Sequence, residues 1–315
     1  MLRQIDMSTA NVTVMGIFAL DLAFRSPRLP VWGETVAGSG LQVGPGGKGS
    51  NQAVAAARLG ANTTFLSKIG ADAFGEIALR TYQDAGVNTD FLVRAQDEAT
   101  GAAAILVQED SGENAIVVCP GAAETLTKQE IDRAEERIAA SACFLTQFEL
   151  PIVLVEYALA LARRRGVTTI LNPAPGLPCP DSLLALCDYV TPNEGEAEAL
   201  TGMRVSTIEE AEAAAEQLME RGAGHAVITL GARGALVKSA TISQHIEAFN
   251  AGRVVDTTGA GDAFNAGFAV ALAQGKGLVT AAQFGCAVAG ISVTRHGTSP
   301  SMPRREEVDA LLAKH

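Results

Sequence analysis

The chain has 315 residues, 48% of them hydrophobic and 19% charged, with a net charge of −11. That balance describes a globular protein with a large core and excludes a disordered chain or a sequence-independent grip on nucleic acid or anionic lipid. Cys119, Cys143, Cys179, Cys187 and Cys286 stand apart without CxxC spacing, which excludes a zinc or disulfide framework; residues 1–11 are polar, and no apolar run approaches the roughly 20 residues of a membrane span, so a cytoplasmic location is expected.

In chain order, 12–16 reads as a buried first strand, with Asp21 just past its carboxyl end. Residues 18–25 and 34–43 alternate and carry turn residues, as exposed strands of a small separate sheet do. A glycine-rich turn, Gly44-Pro45-Gly46-Gly47-Lys48-Gly49-Ser50-Asn51, then leads into a helix over 52–59. From residue 63 strand and helix alternate. Strands are predicted at 63–69, 142–147, 167–172, 188–191 and 226–230, and a hairpin at 102–107 and 115–118. Helices are predicted at 72–85, 128–140, from Pro151 to Arg165, 194–201 and 207–221. Short strands at 235–238, 242–249 and 253–255 precede helices at 262–273, 278–293 and 305–313. Repeated strand-then-helix units predict one α/β domain over 1–315, with a mostly parallel sheet covered by helices on both faces.

Two glycine-rich stretches open helices. Gly44 to Gly49 matches G-x-G-x-x-G literally, a weak pattern alone, but it does not follow the first core strand directly, and Lys48 is followed by Gly49 rather than by Ser or Thr. It is therefore neither a dinucleotide fingerprint nor a P-loop. It reads either as a flexible turn or as a loop bringing backbone, Lys48 and Asn51 to a polar ligand. In Asp256-Thr257-Thr258-Gly259-Ala260-Gly261-Asp262-Ala263-Phe264, bare N–H groups and a helix dipole are set to receive an anion. Asp262, inside that turn, reads either as a helix cap or as an acid working beside the anion. Polar residues also end several strands: Asp21, Glu149, Asn172, Asn193 with Glu196, and Thr229 with Gly231. In an open α/β sheet these ends share one edge, where ligands bind. The four histidines lie at 225, 245, 296 and 315, none at a strand end suited to a hydrolase triad. Phosphoryl transfer needs an anion cradle, a metal-linked acid, a base and a lid, and this inventory fits it.

Three motifs resemble those of the PfkB carbohydrate-kinase family, and the resemblance, to its ribokinase branch, spans nearly the whole chain. They are Gly46-Gly47-Lys48-Gly49-Ser50-Asn51-Gln52-Ala53, Asn193-Glu194-Gly195-Glu196, and the stretch from Asp256 to Phe264. The resemblance implies a three-layer α/β/α fold, with a small β-sheet lid formed by about 18–43 and 102–118 that also pairs two subunits. It implies an ATP-dependent sugar kinase acting on a primary hydroxyl, D-ribose to ribose 5-phosphate. A nucleoside kinase of the same family is the alternative, and a non-catalytic sugar- or nucleotide-binding protein a remote one.

By the same resemblance, Asp262 is the catalytic base and Gly259, Ala260 and Gly261 the anion hole. Asp21, Gly47, Lys48, Gly49, Ser50, Asn51 and Glu149 hold the sugar. Asn193, Thr229, Leu230, Gly231, Ala232, Arg233, Gly234, Gly261 and Cys286 bind ATP. Glu196 orders Mg²⁺ through water, and Asp256, Thr258, Ser292, Arg295, Gly297 and Ser301 surround a monovalent cation, K⁺. One position departs from the family pattern: its N-x-D has Asn two residues before the sugar-binding Asp, and here Ala19 precedes Asp21.

Overall fold

The computed structural model of the protein describes residues 10–314; most of the polar N-terminal stretch, residues 1–9, and His315 lie outside the described residues. Its strands are β1 (Asn11–Met15), β2 (Ala19–Ser26), β3 (Gly40–Gly46), β4 (Asn62–Gly70), β5 (Leu92–Ala95), β6 (Thr100–Gln108), β7 (Asn114–Gly121), β8 (Cys143–Gln147), β9 (Thr168–Asn172), β10 (Tyr189–Val190), β11 (His225–Thr229), β12 (Ala235–Lys238) and β13 (Ser243–Ile246). Its helices are α1 (Lys48–Arg58), α2 (Ala73–Ala85), α3 (Lys128–Asp132), α4 (Glu135–Ala139), α5 (Ile152–Arg164), α6 (Asp181–Leu184), α7 (Glu194–Thr201), α8 (Ile208–Glu220), α9 (Ala260–Ala273), α10 (Leu278–Ser292) and α11 (Arg305–Leu312).

The main sheet runs β13-β12-β11-β10-β9-β8-β1-β4-β5. It is parallel from β11 to β5, and only β12 and β13 pair antiparallel. Successive side chains on a strand leave opposite faces, and here they feed two apolar clusters. Val14, Ile170 and Val227 pack toward α1, α2, α9 and α10. Met15, Leu171 and Ile228 pack toward α3, α5 and α8. The result is the expected three-layer sandwich. From β1 the chain winds outward through β4 to β5, then returns through β8 toward β13, so the winding reverses between β1 and β8. A crevice opens at the carboxyl ends of the strands at such a reversal, here beside Gly16 and Gln147.

A second sheet, β3-β2-β6-β7, stands apart. It pairs β2 with β3 antiparallel and with β6 parallel, and β6 with β7 antiparallel. These four strands correct the expected bounds of 18–43 and 102–118. Residues 34–39 are not strand, because Pro30, Gly33 and Gly38 keep 27–39 as a loop; β3 instead runs on to Gly46, paired with Ala19.

Other boundaries move for local reasons. The helix expected over 128–140 breaks at Arg133 and Ala134 into α3, capped by Thr127 and Glu130, and α4, which has no side-chain cap. Residues 253–255 form no strand; Val255 and Asp256 both donate to the carbonyl of Val293 beyond α10 and pair with no neighbouring strand. β5 is short and carries Arg94, so its alternation is too weak to register in the sequence.

Candidate active site

Two helices begin at the reversal point, both from glycines at positive φ. Gly47 precedes α1 with φ 88° and Gly259 precedes α9 with φ 79°. At positive φ a side chain is strained, and a Cβ on Gly47 would also lie 2.5 Å from the carbonyl oxygen of Ile17. The glycine turn of the first motif is therefore not a loop before a helix. Lys48 to Asn51 are the first turn of α1 itself. The amide of Lys48 donates to the Glu149 carboxylate at 2.8 Å, so an acid 101 residues away caps the helix, as the dipole favours.

α9 brings Asp262 against α1, where its carboxylate is 6% exposed. Each oxygen is held by an amide of α1: Asn51 Nδ2 donates to Oδ2 at 2.9 Å and Gln52 Nε2 to Oδ1 at 3.0 Å. Burial raises the Asp262 pKa, opposed by the Lys48 charge and by these two bonds. Burial and the Asp262 charge push Asp21 to about 6 against the pull of Lys48, and burial pushes Glu149 to about 7. Burial works against the Lys48 ammonium, yet Asp262, Glu149, Glu196 and Asp21 together hold it above the ordinary lysine range. The site is thus one half-buried cation among four carboxylates, beside two helix N-termini. It can hold a polyhydroxyl ligand, receive an anion and remove a proton.

The pfkB family carbohydrate kinase model matches residues 9–305. The chain belongs to that family. It is 42% identical over 297 residues to the ribokinase of Haemophilus influenzae, covering 94% of this chain and 96% of the relative. It is also 35% identical over 304 residues to the deoxyribokinase of Salmonella typhi, covering 96% and 99%. The solved structure of an Arabidopsis thaliana ribokinase complexed with ribose and ATP matches with a TM-score of 0.90 at 32% identity, covering 96% of this chain and 99% of that one. The protein is a carbohydrate kinase, a phosphotransferase with an alcohol group as acceptor.

Not every residue singled out by the family's motifs reaches this centre. The Ser50 side chain turns away; it is fully buried and its hydroxyl is bonded by Tyr82 at 3.0 Å. Asn193 and Glu196 form a reciprocal cap on α7, with Asn193 N to Glu196 Oε2 at 2.9 Å and Glu196 N to Asn193 Oδ1 at 2.8 Å. Glu196 still lies close enough for its carboxylate to act on Lys48. Thr229 ends β11 and bridges to Asn193; Leu230 to Gly234 form a tight turn beyond it. Arg233 points its guanidinium at Glu194 and the carbonyl of Ser206. Cys286 is buried in the apolar cluster that contains Phe264 and Val288.

On the far side, Asp256 accepts from the amides of Thr258 at 2.9 Å and Gly297 at 3.0 Å, closing the 297–301 loop onto the start of α9. Ser301 is buried with its hydroxyl on the Thr298 carbonyl, Ser292 is buried at the end of α10 with its hydroxyl on the Ala289 carbonyl, and Arg295 pairs with Glu307. Gln52, Gln147 and Ser299 were not picked out in the sequence, although all three join the network around Asp262. Gln147 ends β8 as Asn172 ends β9, so the strand-end rule applied to every polar residue finds it.

Proposed function

We propose that the protein transfers the γ-phosphoryl group of ATP to the primary hydroxyl of a pentose, D-ribose to ribose 5-phosphate, with Asp262 as general base. The observation that carries this reading is the Asp262 carboxylate, buried at the glycine-started end of α9 with both oxygens held by α1. Its raised pKa brings the base nearer to working pH, where general-base catalysis is most effective. Asp21, Glu149 and the first turn of α1 bind the sugar and aim its hydroxyl at Asp262. The N–H groups of Gly259, Ala260 and Gly261 receive charge that develops on the transferred group.

ATP supplies that group when bound along Asn193, Thr229 to Gly234, Gly261 and Cys286. Glu196 would help hold Mg²⁺, through water and together with the phosphates; one carboxylate plus phosphate oxygens is a donor set that suits this ion. The oxygens at Asp256, Thr258, Ser292, Arg295, Gly297 and Ser301 are hard donors that suit a monovalent cation, K⁺. The β3-β2-β6-β7 sheet is the lid, and it pairs two copies of the chain in the cytoplasm.

A panel of pentoses, hexoses and nucleosides with Mg-ATP, with products identified, tests the substrate. Asp262→Asn is expected to keep the fold and lower kcat by about 10²–10⁴-fold, the usual worth of a general base. A variant with near-normal kcat removes Asp262 from that role.

A second reading of the substrate is favoured by Ala19, which shares a sheet face with Asp21 and is buried without a polar atom to offer a hydroxyl. A pentose lacking a hydroxyl on that side, such as 2-deoxyribose, then binds without loss. The ratio of kcat/KM for ribose and 2-deoxyribose decides between the two.

A further inference from the structure

Gln147 is 1% exposed, and its Oε1 has no hydrogen-bond partner among the described residues. An orphaned buried amide oxygen costs about 1–3 kcal/mol, so something must hold it in this orientation. The orientation follows from Asp262 outward. An ionised carboxylate only accepts, so Gln52 must turn its NH₂ toward Asp262. Gln52 Nε2 also donates to Asn172 Oδ1 at 3.1 Å, and Asn172 is itself oriented by donating to the Thr191 carbonyl. Gln52 Oε1 must then face Gln147, which meets it with its own NH₂ at 2.6 Å. Its remaining oxygen lies in the space a side chain would take at Gly16 or Gly49, and no donor bonds it among the described residues. Turning any one amide over sets oxygen against oxygen elsewhere in the chain.

We propose that Gln147 and Gln52 are positioning residues, an amide relay that locks the Asp262 carboxylate in the orientation needed to take the substrate's proton. The proposal rests on the reading of Asp262 as general base. Gln52 touches Asp262 and Gln147 acts only through Gln52. The relay is anchored at the end of β8, beside the winding reversal, so the base is fixed to the central sheet as well as to its own helix. Asn51, steadied by Ser299 Oγ at 2.8 Å, performs the same service for the other carboxylate oxygen.

The test is the pH profile of kcat/KM in near-isosteric variants. Other charged groups facing Asp262 are Lys48 on α1, Asp21 on β2, Glu149 after β8 and Glu196 on α7, and neither substitution changes any of them. Gln52→Met removes a donor to the ionised base, so the acid limb is expected to move up by about one pH unit, a tenfold loss of kcat/KM below it. KM for sugar and for ATP should each stay within about threefold, since neither ligand loses a contact. Gln147→Met frees the Gln52 amide to turn and is expected to shift the limb the same way by a smaller amount.

In the double variant the effect should equal that of Gln52→Met alone, as residues in one chain of contacts are not additive. An unmoved acid limb in Gln52→Met, or a Gln147 effect that persists in full without Gln52, overturns the relay. If Gln52→Met does not fold, Gln147→Met carries the test, because its lost atoms bond Gln52 and a merely structural change leaves the limb in place. Asp262→Asn, measured alongside, separates the two claims. A variant that stays active overturns the base and the relay with it, whereas an inactive one beside an unmoved Gln52→Met limb overturns the relay only.

Discussion

Glu149 does two things with one carboxylate. It caps α1 through the Lys48 amide, and burial in the crevice, helped by the Asp262 charge and opposed by Lys48, pushes it from the ordinary 4.5 to about 7. A folded-state pKa above the unfolded one means the folded chain binds the extra proton between about pH 4.5 and 7, so stability falls as pH rises through that window. Asp21, pushed to about 6, acts in the same direction. The ligand-free protein is expected to melt at a higher temperature near pH 5 than near pH 7.5, and Glu149→Gln, neutral throughout, should flatten the slope. Melting curves across that range check it; an unchanged slope removes Glu149 from the account.

Ala19 gives the other prediction at this scale. Ala19→Asn restores a donor and acceptor beside Asp21 and should shift preference toward ribose over 2-deoxyribose by about 5-fold or more, the worth of one hydrogen bond. A ratio unchanged by the substitution breaks the link between this wall and the sugar. Asp262, Asp21 and Glu149 were legible in the sequence because acids at strand ends and in a glycine-started helix are unusual. Gln147 becomes legible only when the strand-end rule is extended from acids to every polar residue, and Gln52 was not legible, since a glutamine inside a helix says nothing until its partners are known.

At the scale of elements, the start of α1 was the least legible. Gly49, Ser50 and Asn51 are poor helix formers, so local propensity placed the helix at Gln52, four residues late. What overrides it is tertiary: Glu149 caps the amides of α1 from β8's far end, and Gly47 makes the entry turn. Gly47→Ala should therefore cost about 2–4 kcal/mol, from a positive φ and a Cβ forced against the carbonyl of Ile17. That is a fall in Tm of roughly 3–6 °C for a chain of this size. Sugar KM should rise as the first turn of α1 shifts. A variant with unchanged Tm and KM contradicts the claim that this turn is set by Gly47. The parallel strands, by contrast, were plain as apolar runs bounded by turns. β5 and the break at Arg133 were not, because each depends on neighbours rather than on its own pattern.

For the whole molecule, the outer face of the β3-β2-β6-β7 sheet is the surface that asks for a partner. Leu22, Val43 and Val117 lie in one register row, with Phe24 and Leu41 in the next, all on the face opposite Asp21. Val117 is 66% exposed and Leu41 59%. Contiguous exposed apolar rows of this kind mark an interaction site, and the family resemblance expects a second copy of the chain there. Val117→Asp puts a charge in the middle of that face and should convert a dimer into a 32.5 kDa monomer by light scattering. Because the opposite face of the same strands carries Asp21, loss of pairing should also raise sugar KM. Salt gives an independent check. Each copy carries a net charge of −11, so association driven by apolar burial works against electrostatic repulsion. Raising ionic strength screens that repulsion and should tighten the dimer. A wild-type chain that is monomeric at every salt concentration would leave the apolar face serving the crevice alone.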